Sequence, residues 1–280
     1  MYIDSKVTRI IDKTERTYEL ARFDSPEQAI GWATTNSMWK HSKRSSEWNR
    51  NINTLEGFQN LLTFGDKELE QRTLKAWNKL HVDNVPQNAP KWALDVAGCI
   101  PSVPAYLAGD PRCMRRKMLV KQPLPARIFA SVCVSGGVPA SLMEQRGVIV
   151  AALVYKLAAI RPVELWVTSE TRTEDKSKFH MIRLNTKPLN LSRICAMLAH
   201  PAALRTLFFS LSDRRNSHSI QWAFGRLPFD KGTPEVWSAA MGVDLSRDVY
   251  IPGTHLDDPL LEDPKAWIQR EFDRINGKGK

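Results

Sequence analysis

The sequence predicts an α/β protein. A mixed N-terminal region of edge strands and helices, residues 1–125, precedes a mostly parallel, three-layer α/β core, residues 126–280. Two core segments, "ARIFASVCVS" and "PVELWVTSE", are almost continuously apolar, which is typical of strands buried on both faces. A long helical pattern separates them, and this strand–helix–strand order favours parallel strands. A hydrophobic content of 42%, with nine Trp and ten Phe, suffices for a large core.

The N-terminal region begins with a predicted hairpin followed by a helix. The first 24 residues alternate loosely between polar and apolar side chains, so we expect two edge strands. Ser25 is the expected N-cap of the helix, with Pro26 in its first turn and Gln28 at its third position. One face of this helix carries Ala29, Trp32 and Ala33.

Two further helices are expected on either side of Gly65, which interrupts the helical pattern. Thr54 can cap the first of them. Its apolar residues are Leu55, Phe58, Leu61 and Leu62. The second helix has a charged outer face, as a surface helix should. Its apolar stripe is Leu69, Thr73, Ala76, Trp77 and Leu80.

A proline-rich segment leads into the core, with five prolines between Pro86 and Pro111. Apolar residues are interspersed through it, so we expect an ordered, packed loop and not a flexible linker. These residues are Trp92, Val96, Ile100, Val103 and Tyr106.

The remaining core elements follow in order. Ser141 is the expected cap of the long helix, with Glu144 three residues later. "KFHMIRLN" predicts a third strand, and "DVYIPG" predicts a short late strand. Between them lie one or two helices broken at Pro201, and Pro264–Ile275 is an amphipathic final helix.

Composition restricts the class of protein. The formal net charge of +10 and the pI near 9.5 favour a polyanionic partner over a neutral one. Cysteines without a paired spacing indicate free thiols in a reducing compartment. They are Cys99, Cys113, Cys133 and Cys195. Because we find neither a signal peptide nor an apolar run of about 18 residues, we expect a soluble cytoplasmic protein without a membrane partner.

Motifs for catalysis are missing from the sequence. Ser135-Gly136-Gly137 follows a strand but fits neither common phosphate-binding glycine motif, and a tight turn is favoured. The six histidines are scattered. Glu170 lies in "SETRTEDKSK", whose alternating charges predict a solvated hairpin tip. We therefore expect no enzyme, metal or cofactor, and keep a nucleic-acid enzyme such as a nuclease as an alternative.

Basic residues concentrate in three clusters, and these supply the predicted nucleic-acid contacts. The first cluster is Lys40, Lys43, Arg44 and Arg50, next to Trp39. The second is Arg112, Arg115, Arg116, Lys117, Lys121 and Arg127, with no acid between Pro111 and Arg127. The third is Arg205, Arg214, Arg215 and Arg226, near Trp222. From them we predict a binding set of Trp39, Lys40, Lys43, Arg44, Arg50, Arg112, Arg115, Arg116, Lys117, Lys121, Arg214 and Arg215.

Aromatic residues near these cations indicate the kind of nucleic acid. Single strands are bound by cations that neutralise phosphates and by flat rings on which bases stack. Trp39 and Trp222 lie in basic neighbourhoods, whereas Trp48 is better explained as an anchor for the Thr54-capped helix. Other tryptophans fit helix stripes or strands and are predicted to be core: Trp77, Trp92, Trp166 and Trp267. No motif of a duplex reader is visible.

Two stretches, "SEWNRNINTLEGFQNLLTFG" and "VAGCIPSVPAYLAGDPRCM", together with the following strand and helix, resemble an uncharacterised family of tailed phages. The α/β half of that family is similar to a degenerate von Willebrand A-type or Rossmann-like core. In place of the A-domain metal motif D-x-S-x-S this chain has Val132-Cys133-Val134-Ser135-Gly136, so the resemblance implies no metal site.

In size and charge the chain is also similar to the single-stranded-DNA-binding cofactor of the RNA polymerase in Schitoviridae-type podophages. This resemblance implies a transcription role at melted promoters in the infected host cell, with single-stranded DNA, a phage RNA polymerase and further copies of the chain as partners. Two alternatives remain: a protein-interaction module on a metal-free A-like scaffold, and a nucleic-acid enzyme.

Overall fold

A six-stranded mixed sheet organises the fold in the computed structural model. The described residues are 3–11, 14–36, 46–79, 92–117, 125–134, 138–172, 176–212, 242–244, 247–253 and 259–275. The strands of this sheet are β1 (Ile3–Ile11), β2 (Thr14–Phe23), β6 (Ala126–Ser131), β7 (Val163–Arg172), β8 (Lys176–Leu184) and β9 (Val249–Ile251). Their order is β1-β2-β8-β7-β6-β9. Three of the five pairings are parallel, which confirms the α/β class.

The N-terminal hairpin is part of the core sheet. β1 and β2 pair antiparallel, as predicted, with Ile11 opposite Thr14. β2 then pairs in parallel with β8, from Thr17 opposite Lys176 to Phe23 opposite Ile182. Of the two hairpin strands, β1 is therefore an edge strand and β2 is not, and the boundary predicted between residues 125 and 126 runs through a single sheet.

The helices lie between and after these strands. Before the core they are α1 (Pro26–Asn36), α2 (Ser46–Asn49), α3 (Leu55–Phe64), α4 (Lys67–Lys79) and α5 (Val103–Leu107). The core adds α6 (Ala140–Ile160), α7 (Leu191–Leu198), a π-helix (Ala203–Phe208) and α8 (Phe209–Ser212). Two helices end the described chain, α9 (Pro259–Glu262) and α10 (Pro264–Ile275).

Side-chain capping explains several of the helix starts. The Ser25 hydroxyl accepts from the Gln28 N–H at 3.2 Å, and the Thr54 hydroxyl accepts from the Gly57 N–H at 3.0 Å, as predicted. The prediction for Ser141 is wrong, since the N-cap of α6 is Pro139 and no side chain caps this end. Glu144 instead accepts from Arg72 at 2.7 Å.

Most of the core lies on one side of the sheet. Buried residues of the helices form one cluster with the inward residues of the strands, such as Ile128 and Val167. The opposite side of the sheet carries a second cluster of Phe129, Trp166, Phe179, Met181 and Val243. The described helices thus provide one helical layer, and the third layer stays a prediction.

The proline-rich segment is a small sheet and not a loop. It contains β3 (Trp92–Asp95), β4 (Ile100–Pro101) and β5 (Met114–Lys117), in the order β3-β5-β4, with both pairings antiparallel. We call this unit, residues 92–117, the small sheet. It lies between α4 and the core strand β6, within the range predicted for the N-terminal region.

Within the described ranges, no single helix has the length and hydropathy of a membrane span. The helical segments Leu191–Leu198 and Ala203–Ser212 reach this length and hydropathy only when they are counted together, and the angle between them is 61°.

Candidate nucleic-acid interface

One face of the small sheet combines a tryptophan, aliphatic side chains and an arginine. Leu94 and Ile100 both lie opposite Arg115 in the strand register. Because opposed residues share a face and side chains alternate along a strand, Trp92 lies on this face as well. We call these four residues, Trp92, Leu94, Ile100 and Arg115, the Trp92 face.

The Trp92 face is open to solvent. Trp92 is 45% exposed, Leu94 44% and Ile100 46%. Seven of the nine large hydrophobic residues exposed in the described chain belong to the small sheet: Trp92, Leu94, Val96, Ile100, Val103, Tyr106 and Leu107. Such a concentration of exposed apolar side chains marks an interaction surface.

The exposure of Trp92 contradicts the sequence prediction. Trp92 was expected in the core, and Val96, Ile100, Val103 and Tyr106 were expected to pack within an ordered loop. All five are exposed. The alternation of β3 is that of a half-buried strand, but no described layer covers the side on which Trp92 lies, and a sequence does not show which side a layer will cover.

The cations of the small sheet are accessible. Arg115 is exposed and has no acidic partner among the described residues. Arg116 lies 3.3 Å from Asp95 and Arg112 lies 3.6 Å from Asp110, and all four side chains are at least one-third exposed. Exposed ion pairs of this kind contribute about 0–1 kcal/mol, so a phosphate can displace them.

Several predicted contacts lie outside the described residues. They are Trp39, Lys40, Lys43, Arg44, Lys121, Arg214 and Arg215. Lys117 belongs to β5, opposite Trp92, and only its backbone is described. The structure therefore brings together Arg112, Arg115, Arg116 and the backbone of Lys117 from the predicted set.

Arg50 is 30% exposed and is paired with three carboxylates of the same chain. Its guanidinium lies 3.1 Å from Asp66, 2.8 Å from Glu68 and 3.5 Å from Glu144. Although partial burial acts to lower the pKa of Arg50, these carboxylates raise it above its ordinary value. Arg50 joins the start of α4 to α6, a structural role that the sequence prediction of a phosphate contact did not include.

Two other arginines of the basic clusters are also engaged. Arg205 is buried, with its guanidinium carbon 3.8 Å from the centroid of the Trp48 ring. It donates to the backbone oxygens of Trp48 and Val138. Trp48 packs against the core, as its predicted anchor role requires. The Arg127 guanidinium makes a bidentate contact with the Asp248 carboxylate, in which Nε donates to Oδ1 at 2.9 Å.

A buried polar cluster surrounds Glu170, which is 1% exposed. The charge pattern predicted a solvated hairpin tip for this residue and gave no sign of the cluster. The Glu170 carboxylate accepts from the hydroxyls of Ser131 at 2.7 Å, Thr168 at 2.9 Å and Tyr250 at 3.5 Å. The Glu170 N–H donates to Cys133 Sγ at 3.0 Å. The neighbouring strand β6 thus covers Glu170, and only the sheet register reveals this. Within the described ranges no three His, Cys, Asp or Glu side chains are arranged to hold a metal ion.

The buried carboxylate makes stability depend on pH. Burial raises the pKa of Glu170 above its ordinary 4.5, against the hydroxyl hydrogen bonds that lower it. The folded protein therefore binds this proton more tightly than the unfolded chain does. As a result, the free energy of unfolding increases as the pH falls from the folded-state pKa of Glu170 toward 4.5. We expect Glu170→Gln, which is neutral and of similar shape, to remove this gain.

Urea unfolding of both proteins from about pH 5 to pH 8 measures the difference. Burial lowers the pKa of His200 to about 4, which weakens the fold on acidification, but this contribution is common to both proteins and cancels. Identical pH profiles would show that the Glu170 proton does not contribute.

Comparison with known proteins yields one match. A family model described as a domain of unknown function (DUF7192) matches residues 10–275. No curated protein and no solved structure matches the chain. The matched range includes both the six-stranded sheet and the small sheet.

Proposed function

This chain belongs to the DUF7192 family of domains of unknown function, and we propose that it binds single-stranded DNA with little dependence on base sequence. One observation carries the proposal: an exposed tryptophan and an arginine without a described acidic partner share one face of the small sheet. The net charge of +10 supports a polyanionic partner.

The chemistry of the Trp92 face suits single strands. A base stacked on the Trp92 indole contributes about 1–3 kcal/mol whatever its identity, because every base has a flat face. Arg115 and the neighbouring Arg112 and Arg116 can neutralise phosphates. Leu94 and Ile100 add apolar contact but no hydrogen bonds, so the face offers little to distinguish one base from another.

We further propose that the protein acts as a cofactor of a phage RNA polymerase in the cytoplasm of the infected host. This part is supported by the resemblance of "VPAYLAGDP" and its surroundings to the tailed-phage family. A sequence-tolerant single-strand binder would hold the separated strands of a melted promoter. We expect the chain to act without metal or cofactor.

Salt titration tests the proposal most directly. The four phosphate contacts of the small sheet, from Arg112, Arg115, Arg116 and Lys117, contribute roughly −3 to the slope of log affinity against log salt for a single strand. Binding of a labelled oligonucleotide should then weaken roughly 50-fold between about 50 and 200 mM salt. Binding that is absent, or that does not respond to salt, would refute the proposal.

Two variants locate the binding site. Joint replacement of Arg115, Arg116 and Lys117 by Ala should reduce the salt slope by roughly 2, about 0.7 for each lost contact, equally for all base sequences, whereas Arg247→Ala, an exposed arginine outside the small sheet, should leave it unchanged. Trp92→Ala should cost about 1–3 kcal/mol of binding, and Phe64→Ala, which is 78% exposed on α3, is the matched control.

A second candidate function is a protein-interaction module, which the side chains of α5 favour. Val103 is 61% exposed and Leu107 78%, and these aliphatic side chains give bases no flat ring to stack on. If α5 binds a further copy of the chain, the mass in solution is twice 31.8 kDa. An electrophoretic shift panel with single strands, duplex and RNA, with and without magnesium, separates binding from this alternative and from metal-dependent cleavage.

A further inference from the structure

The side of the six-stranded sheet that faces away from the described helices carries two adjacent aromatic rings, the Phe129–Trp166 pair. Phe129 on β6 and Trp166 on β7 are opposite each other in the register. Their planes are nearly parallel, at 8°, with centroids 6.4 Å apart. Trp166 is only 4% exposed, so its ring supports other side chains and cannot accept a stacked base.

Two arginines from other strands lie over the Trp166 ring of this pair. The guanidinium carbon of Arg22, on β2, lies 4.6 Å from the Trp166 ring centroid, and that of Arg183, on β8, lies 6.0 Å from the same centroid. Arg22 reaches across β8 to do so, because β8 separates β2 from β7. The tryptophan ring attracts both cations and holds their flat groups in place.

The positive charge at this position is only partly compensated. Arg22 is exposed and has no carboxylate within ion-pair distance among the described residues. For Arg183 the carboxylate in reach is Glu164, at 3.8 Å, and the same oxygen also accepts the Trp166 indole N–H at 2.9 Å. Among the described residues, one carboxylate oxygen, already hydrogen-bonded to the indole, thus offsets the charge of one of the two guanidiniums.

We propose that Arg22 and Arg183, supported on Trp166, form a phosphate-binding site. Guanidiniums donate two parallel hydrogen bonds to phosphate oxygens, and an arginine held on a ring loses little side-chain entropy when it binds. When the ligand is single-stranded DNA, this site binds a phosphodiester of the DNA backbone, and this part of the inference rests on the proposed function. This site contacts the strand without touching a base, in contrast to the Trp92 face.

An abasic oligodeoxynucleotide, which retains the phosphates but lacks bases, tests the site. Arg22→Gln with Arg183→Gln should reduce the salt slope of its binding by roughly 1.4, about 0.7 for each lost contact. Arg247→Gln should leave the slope unchanged, and so should Trp92→Ala, because no base is present to stack. Circular dichroism and the urea midpoint establish that each variant is folded. If the double variant does not fold, the two single variants are measured instead.

Inorganic phosphate separates the two sources of ligand. If the wild type binds no nucleic acid but calorimetry detects phosphate binding that the double variant loses, the proposed function fails and this site stands. Arg183→Lys keeps the positive charge but lacks the two parallel N–H donors of a guanidinium, so it should bind phosphate with intermediate affinity. A salt slope unaffected by the double variant, or no binding of either probe by the wild type, would overturn the inference.

Discussion

Gly147→Ala is expected to destabilise the fold by about 3 kcal/mol, although alanine is the better helix former. Gly147 is buried in α6 where this helix meets the end of α7. A Cβ atom at this position would lie 2.2 Å from Ala199 Cα and 2.2 Å from the Leu198 carbonyl oxygen. Both are backbone atoms, so relief requires one helix to move. This cost exceeds the gain of about 1 kcal/mol in helix propensity.

Gly31→Ala is the matched control. Gly31 lies in α1, and nothing stands within 4 Å of the added Cβ. Helix propensity then acts alone, and the variant should gain about 0.5–1 kcal/mol. Urea unfolding of the two variants beside the wild type measures both changes. A Gly147→Ala protein as stable as the wild type would show that α6 and α7 do not meet at this glycine.

Arg205→Met is expected to cost about 3 kcal/mol of stability. The side chain is buried, and its two terminal nitrogens donate to backbone oxygens of Trp48 and Val138. Methionine preserves much of the apolar stem but leaves both oxygens without these donors, and each lost hydrogen bond to a charged group costs about 1.5–3 kcal/mol. The cation–π contact with the Trp48 ring is lost as well.

Affinity separates this structural role from nucleic-acid binding. The folded Arg205→Met protein should bind oligonucleotide as the wild type does, since Arg205 is not accessible to a phosphate. Arg247→Met, in which an arginine that is 71% exposed loses only a pair at 4.0 Å, should change stability by less than about 0.5 kcal/mol. Weakened binding by the folded Arg205→Met protein, with unchanged stability, would restore Arg205 to the binding surface.

The two proposals place base contacts on the small sheet and phosphate contacts on both sheets. The Trp92 face stacks and neutralises, while the Arg22–Arg183 pair only neutralises. A single strand that contacts both would be held at two kinds of site, of which one depends on bases and the other does not. Oligonucleotides with and without bases therefore resolve the two contributions in the same protein.

Elements with a strong local signal could be predicted from the sequence. The β1–β2 hairpin, the helices capped by Ser25 and Thr54, and the final helix Pro264–Ile275 match the structure. A cap or a periodic stripe is a property of a few neighbouring residues, so it survives whatever the rest of the chain does. The Gly65 break is similar, since this residue has φ of 75°.

Which residues form a site depended on strand order and register. Glu170 carries the same charge in "SETRTEDKSK" as its solvated neighbours, yet the pairing of β7 with β6 places it against Ser131 and Cys133. Arg22 and Arg183 are far apart in the sequence and belong to none of its basic clusters. They meet because β2 pairs with β8 across the expected domain boundary.

The sequence by itself therefore determined the α/β class, the basic character and the locally encoded helices and strands, since each of these is written in composition or in short-range periodicity. Only the tertiary structure decided that Trp92 is exposed, that Arg50 and Arg205 are held by groups of the same chain, and that two arginines converge on Trp166. The physical reason is that burial and charge compensation depend on what packs against a residue. Those neighbours come from distant parts of the chain.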